Sequence, residues 1–476
     1  MNSSSTRRAA LACLAAILTA LFSSAATIHV PGDQPTIQAG IDAAAAGDTV
    51  EVACGAYAET DLVLKSDILI QGEGGAPGCV TVDAGLDGGY FSAVDVHGTT
   101  MRGVAFQDAR LPFWVDGYAA SIIRSSIDFE NCGISRARSD VGYGYANCLI
   151  EDSSPTFENC SFNGNEVTAV TIRDASPEFR DCHFVGNIVH ADWELTPCML
   201  VEGSSGVLLE RCRIAGNTLF GLPRGVPQSN VAGIHASGGA ISIHARDCLF
   251  DGNNGYSGQG AAYVFEGTAT FEDCEFIDNY GVLASAVCLE GNAVASLIRC
   301  RASRNYTFIC YAGPGSSLSL SNSVFWDNEG AAVQAFGCDV SVSNCTFDSG
   351  NGLFYLGLAD VTVQRSILTS SFHNPAVYGQ TITFSCSNLF GNEAGDWVGN
   401  IADQAHINGN FSADPLYCDP GNGDFTLHAA SPCLPGNHPD GVDCGTIGAF
   451  GQGCGSVTVE RETWAEIKAR YRDGGR

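Results

Sequence analysis

Basic residues are scarce in this chain. Its 476 residues hold 23 Lys plus Arg against 52 Asp plus Glu, a formal charge of −29. A nucleic-acid partner requires a basic stripe to neutralise phosphates, so that class is excluded. The same acidity disfavours an anionic membrane surface and, less strongly, polyanionic sugars. Long apolar runs are missing too. The longest, residues 9–22, is too short to span a bilayer, and it follows Arg7 and Arg8. With Ser24, Ala25 and Ala26 behind it, this reads as a secretory signal peptide over residues 1–26. The mature protein is therefore expected outside the cytoplasm: secreted, at the cell surface or in the periplasm. Zinc-type spacing is absent, since the 21 cysteines include no CxxC and no paired histidines accompany them. No metal or cofactor is expected on this count; calcium alone stays open.

What the chain has is a nine-residue phrase that returns. It reads FENCSFNGN at 157–165, FRDCHFVGN at 179–187, LERCRIAGN at 209–217 and ARDCLFDGN at 245–253. It continues as FEDCEFIDN at 271–279 and LIRCRASRN at 297–305, with weaker copies to Asn392 and a worn one from Phe129. The Cys slot and the apolar slot two residues on alternate with polar positions, so the phrase reads as one short strand, apolar inside. The Asn five residues after the slot falls at the strand end. Asn tolerates left-handed backbone there, and stacked Asn side chains would bond one another along the coil. Self-similarity at this period marks a solenoid. The tight copies, near 22 residues apart, suit three short strands and three turns per coil. Like-for-like stacking makes the strands parallel, with coils about 4.8 Å apart. No helical stretch separates the tight copies, which excludes a leucine-rich or helical repeat.

The phrase and its period resemble the right-handed parallel β-helix of the pectin-lyase-like superfamily, the carbohydrate-binding and sugar-hydrolase repeat type. The resemblance covers roughly residues 27–450. It implies an all-β fold: a single-stranded right-handed parallel β-helix solenoid over 27–451 with an N-terminal capping helix. The cap falls within 27–50, where Pro35, Ile37, Ile41, Ala44 and Ala45 make an amphipathic helix that Gly47 stops. It would cover the open end of the strand stack. This opening resembles that of pectin methylesterases and secreted β-helix proteins. Residues 431–450 resemble the closing segment of bacterial surface β-helix proteins, with Cys433 and Cys444 as departures, so a disulfide-rich end is expected over 411–454. Residues 455–476 read as a helical tail bearing Trp464, Ile467 and Tyr471 on one side.

Eight cysteines occupy the repeat slot. Parallel stacking puts their Cβ atoms about 4.8 Å apart, beyond the ~3.5–4.5 Å a disulfide prefers, so they read as buried thiols. The other twelve of the mature chain are the disulfide candidates. Cys54 and Cys79 would staple the first coil. Two bridges among Cys418, Cys433, Cys444 and Cys454 would lock the end, in any of three pairings.

Copy spacing locates the decoration. It stretches to 28 residues after Cys132, 30 after Cys182 and 36 after Cys212. Extra residues in a solenoid form loops, usually on one face. The candidate ligand-binding residues are Trp114, Tyr118, Tyr143, Tyr145, Asp192, Trp193 and Glu194, with Arg110, Phe113, Asp116, Phe220 and Arg224 nearby. Aromatic rings take sugar CH faces, and polar groups take hydroxyls. Ordinary loop packing is the plain alternative. Catalytic residues stay unassigned. The Gly-Asp-Thr-Asp-Phe-type and Leu-Gly-Arg-Pro-Trp stretches of pectin methylesterases are absent, as are the Asn-Thr-Asp, Asp-Asp and Gly-His-Gly of polygalacturonases. A lyase would need an Arg or Lys base and carboxylates holding calcium. Asp128, Glu130, Glu158, Asp181, Arg180 and Arg211 are the residues available, although scattered charges on a wet strand face are the more usual explanation. Residues 419–424 fail the EF-hand pattern and read as a turn. The expected function is a secreted or surface protein, monomeric and non-catalytic, that binds an envelope glycan or other polysaccharide. A polysaccharide lyase or glycoside hydrolase is the alternative, and a structural spacer is the third reading.

Overall fold

The computed structural model describes residues 25–455 except 77, 86–87, 112–116, 140–145, 191–196, 221–229, 257, 375 and 380–381. It divides into two compact units, Met1–His183 and Phe184–Arg476. The expected signal peptide and helical tail lie outside the described residues, apart from Ala25, Ala26 and Gly455.

The first unit opens with the strand Thr27–Val30 and the helix Ile37–Ala43. The helix starts two residues after Pro35. Thr36 Oγ1 accepts the Ala39 N–H at 3.1 Å, and the Glu59 carboxylate takes those of Ile37 and Gln38 at 2.7 and 3.1 Å. These bonds satisfy the free donors of the first turn. A Cβ at Gly40 would sit 2.9 Å from Val30 and Val50, so only glycine lets the helix lie this close to the strands. Three strands then make each coil. Phe91–Val94, His97–Arg102 and Val104–Gln107 pair in parallel with Tyr118–Ile123, Ser126–Glu130 and Gly133–Ser135. The Phe that opens each phrase stacks coil upon coil inside. Phe129, Phe157 and Phe179 have ring centroids 4.8 and 4.9 Å apart and nearly parallel planes.

The second unit repeats the scheme. Val287–Glu290, Val294–Ile298 and Arg301–Ser303 pair in parallel with Cys310–Ala312, Ser317–Ser321 and Val324–Trp326. Phe250 stacks on Phe276, and Phe325 on Phe347, at 4.9 and 5.0 Å.

The phrase is not one strand. It turns a corner. In FEDCEFIDN a strand ends at Glu272, Asp273 takes φ +54, and a second strand begins at Glu275. Asn131, Asn159 and Asp181 in the first unit, and Arg211, Asp247, Asp273 and Arg299 in the second, all take this left-handed conformation. The corner needs a backbone reversal of hand, which Asn and Asp tolerate best. Cysteine follows immediately, buried at the inside of the bend.

The Asn at the phrase end is likewise not the left-handed residue. Its predecessor is: Gly186, Gly216, Gly252, Asp278 or Arg304. The Asn itself is buried and laddered. Along the second unit, Nδ2 of Asn187, Asn217, Asn253, Asn279 and Asn305 donates to Oδ1 of the next, ending on Asn328, at 2.8, 2.9, 2.9, 3.1 and 3.1 Å. Each Oδ1 also accepts the backbone N–H of the Asn before it, at 3.0 to 3.3 Å. In the first unit, buried Asn165 accepts the Ala137 N–H at 3.0 Å.

Fourteen cysteines among the described residues are free, and all are buried. At the corner, Cys274 Sγ lies 3.4 Å from the carbonyl oxygens of Ala245 and Glu272. Ser323 fills the same slot, accepting the Cys300 N–H at 2.9 Å. Burial pushes Cys148, Cys198 and Cys345 up to about 12, so these thiols stay protonated and inert.

The disulfides correct the sequence expectation in part. Cys54 joins Cys79 as expected. At the far end Cys418 joins Cys454, but Cys444 joins Cys386, and Cys433 is left free. Cys148, Cys198, Cys288, Cys310 and Cys338 are unbridged too. Register gives the reason for three of them. Cys148 faces Ala120 and Val170, Cys288 faces Tyr263 and Tyr311, and Cys310 faces Val287 and Val333, so no sulfur lies opposite. Thiol titration of the denatured, unreduced protein lacking residues 1–26 is therefore expected to count fourteen. A count near eight would mean that six of these sulfurs are bridged after all.

The disulfide-rich segment folds back on the second unit's own coils. Arg301 lies over the rings of Trp326 and Phe450 at 5.3 and 5.7 Å and donates to the Gly423 carbonyl at 3.0 Å. Asn344 donates to the Thr446 carbonyl at 3.0 Å, and the Ala449 N–H donates to Thr346 Oγ1 at 3.0 Å. Beneath these bonds Ile367, Phe411, Leu427, Leu434 and Ile447 form a separate apolar cluster.

Candidate functional site

Most of the loop residues expected to bind ligand, Trp114, Tyr143, Tyr145, Asp192, Trp193 and Glu194, lie outside the described residues, as do Phe113, Asp116 and Arg224. The insertions do begin as extra rungs. Arg110–Leu111 pairs with Arg138–Ser139, and Ile188–His190 pairs with Thr218–Phe220. Tyr118 is half-buried, and its hydroxyl accepts from Arg173 at 2.9 Å.

The charges available to a lyase do not assemble into a calcium site. Glu130 pairs with Arg102 at 2.6 Å, Asp128 accepts from Thr156 at 2.6 Å, Arg180 pairs with Glu178, and Arg211 with Glu210 at 3.5 Å. Among the described residues, no group of three or more His, Cys, Asp or Glu is placed to hold a metal.

A different face of the second unit gathers recognisable chemistry. The first strand of each coil has buried residues on either side of one outward residue. Ala262 and Val264 flank Tyr263, Cys310 and Ala312 flank Tyr311, and Phe354 and Leu356 flank Tyr355. Register stacks these outward residues in one column: His235, Tyr263, Cys288, Tyr311, Gln334, Tyr355, Tyr378.

The column has a covered end and an open end. At the covered end His235, Tyr263 and Cys288 are buried, and Tyr263 and Cys288 pack with Val231 and Ala284. The His235 and Tyr263 rings lie 5.0 Å apart. Tyr263 donates to the Glu290 carboxylate at 2.7 Å. Burial first, and then this bond, push its phenol well above the ordinary tyrosine value. Burial and Glu290 push Tyr311 up as well. A tyrosine acting as general base would need the opposite shift.

At the open end the rings surface. Tyr355 and Tyr378 are 39% and 53% exposed. Their rings stack at 5.1 Å with planes 15° apart. Phe308 and Phe336 approach Tyr355 at 6.1 and 6.2 Å. Two adjoining cavities, of about 280 and 390 Å³, run beside them and share Ala331, Asn351, Tyr355 and Asn374. One extends to Tyr378, the other to Val282, Thr307, Phe308 and Glu329. Together they form a groove along the direction in which this unit's coils stack. Its floor is close-packed: a Cβ at Gly330 would collide with the Thr307 carbonyl. Asn374 donates to Asn351 Oδ1 at 2.6 Å. Gln334 Oε1, in the column between Tyr311 and Tyr355, is buried with no hydrogen-bond partner among the described residues.

The family described as right handed beta helix region matches residues 96–284 and 232–411, more than half of the chain. The chain belongs to that family. No curated protein matches this β-helix chain. Among solved structures, it is similar to a periplasmic alginate epimerase, AlgG, at 7% identity and a TM-score of 0.40, over 75% of this chain and 83% of that one. It is similar to pectate lyase Pel9A at 12% identity and a TM-score of 0.37, over 91% and 98%. A polysaccharide lyase of the PL6 family, from Pseudopedobacter saltans, follows at 12% identity and 0.35, over 84% and 95%. At these values the likenesses say nothing of what this β-helix protein does.

Proposed function

We propose that this β-helix protein binds a polysaccharide outside the cytoplasm and holds it in the aromatic groove of the Phe184–Arg476 unit. The observation that carries this reading is the exposed Tyr355–Tyr378 stack beside adjoining cavities lined by Asn351 and Asn374. Rings offer apolar faces and edges to sugar CH groups, while amides offer both donors and acceptors to hydroxyls. Tyr378 ends the column, so one of its faces is turned away from Tyr355. The reading is one of binding rather than cutting. Glycoside hydrolysis uses paired carboxylates, and Glu329 is the one carboxylate among the lining residues. Three disulfides suit an oxidising compartment, in keeping with the proposed signal peptide. No helix among the described residues is long and apolar enough to cross a membrane. The loop residues Trp114, Tyr118, Tyr143 and Tyr145 of one unit, and Asp192, Trp193 and Glu194 of the other, are proposed separately as further ligand-binding residues of the same chemistry. A glycan array followed by affinity electrophoresis tests the groove. Tyr378→Ala is expected to weaken binding about tenfold, the worth of one ring contact, with the melting temperature unchanged because the ring is half exposed. Unaltered affinity in Tyr378→Ala, or release of reducing sugar from the bound polymer, would contradict the proposal.

A further inference from the structure

We infer that the glycan held in this groove is neutral and lies along the coil stack, crossing successive coils. The inference rests on the binding reading above and narrows it to a class of ligand. Charge gives the first argument. Among the described residues, Glu329 is the only charged side chain lining the two cavities, and neither Lys, Arg nor His lines them. Beside the lining residue Asn374, His373 faces Glu393 at 3.8 Å, and arginines of this unit are engaged by their own partners. Arg299 is held by Glu272 and Asp273, Arg304 by Asp278, and Arg301 lies over Trp326 and Phe450. A uronate polymer brings a carboxylate on every sugar. Here it would meet a like charge and no counter-charge, in a chain of formal charge −29.

The polar groups that are present match uncharged hydroxyls. Asn351 and Asn374 stand at the groove wall. Direction gives the second argument. Val282, Thr307, Glu329, Asn351 and Asn374 each precede the first strand of a successive coil and line the groove in that order. Coils rise by about 4.8 Å. An extended sugar polymer advances by a similar distance per residue. A chain lying along the groove therefore meets a fresh wall residue at each sugar, polar at Thr307, Glu329, Asn351 and Asn374, with Phe308, Tyr355 and Tyr378 also in the lining.

The experiment compares neutral polymers (mannan, xylan and mixed-linkage glucan) with polygalacturonate and alginate. It uses the full mature protein, by affinity electrophoresis and calorimetry, at low and high salt. The expected result is binding of at least one neutral polymer with affinity that salt leaves within about twofold, because no charge is neutralised. Neither uronate should bind, even at low salt. Glu329→Lys should bring uronate binding into the measurable range. Neutral oligosaccharides should gain affinity with each added sugar until the groove is filled. Uronate binding that Tyr378→Ala abolishes, with neutral polymers inert, would overturn neutrality and leave the glycan site standing. Affinity that stops growing at one or two sugars would overturn the orientation. Failure of every polymer to bind would remove this inference and the proposed function together.

Discussion

Replacing Asn279 with Leu is expected to destabilise the Phe184–Arg476 unit by about 2–6 kcal/mol. The side chain is buried, and its oxygen takes both the N–H and one amide hydrogen of Asn253, at 3.0 and 2.9 Å. Its own amide donates to the Phe250 carbonyl and to Asn305 Oδ1, at 2.9 and 3.1 Å. Leucine fills the space and answers none of these groups. The N–H and one amide hydrogen of Asn253 would lose their acceptor, each costing about 1–3 kcal/mol, and the Phe250 carbonyl would lose one donor. The ladder repeats through six Asn, so the loss propagates to neighbouring coils. Denaturant unfolding measures the total, and hydrogen exchange shows whether protection falls first around residues 250–305. A change below about 1 kcal/mol would mean that the ladder is dispensable.

The second large effect is expected at the far end. Substituting Cys418 and Cys454 by Ser opens a crosslink between residues 36 apart in sequence. In the chain-entropy account, a loop of this length contributes about 4 kcal/mol. The segment it holds has only a small apolar cluster and a few long-range bonds, among them Arg301 to Gly423 and Asn344 to Thr446. Amides of Asp424–His428 should therefore exchange orders of magnitude faster in the double variant, while those of Val287–Glu290 keep their protection. Unchanged exchange at Asp424–His428 would show that side-chain packing alone fastens the segment.

Much of the fold is legible in the sequence because the phrase encodes contacts at fixed offsets. The inward Phe, the slot Cys and the terminal Asn each meet their own copy one coil away, so repetition alone exposes them. The corner is harder to read. Asn159, Asp181, Arg211 and Arg299 share one left-handed conformation, yet no single residue type marks it. A nine-residue string with alternating polarity looks like one strand for that reason. The disulfides depend on where the closing segment lies in space. Cys386 stands beside a repeat slot, and nothing in its spacing announces Cys444 as its partner. The groove is half legible. Tyr263, Tyr311 and Tyr355 stand eleven, twelve and eleven residues before slot residues Cys274, Ser323 and Ser366. His235, Cys288 and Gln334 interrupt that column, which hides it from a search for aromatic clusters. Aromatic density instead points to the long loops. Whether an outward ring is covered, as at Tyr263, or open, as at Tyr378, depends on what neighbouring coils place over it, and local sequence does not carry that.

The most direct test of the central claim is a crystal structure of the protein with a bound neutral oligosaccharide. Sugar density is expected against Tyr378 and Tyr355, running toward Phe308 with its hydroxyls on Asn351 and Asn374. A bound oligosaccharide on any other face, with this groove empty, would contradict it.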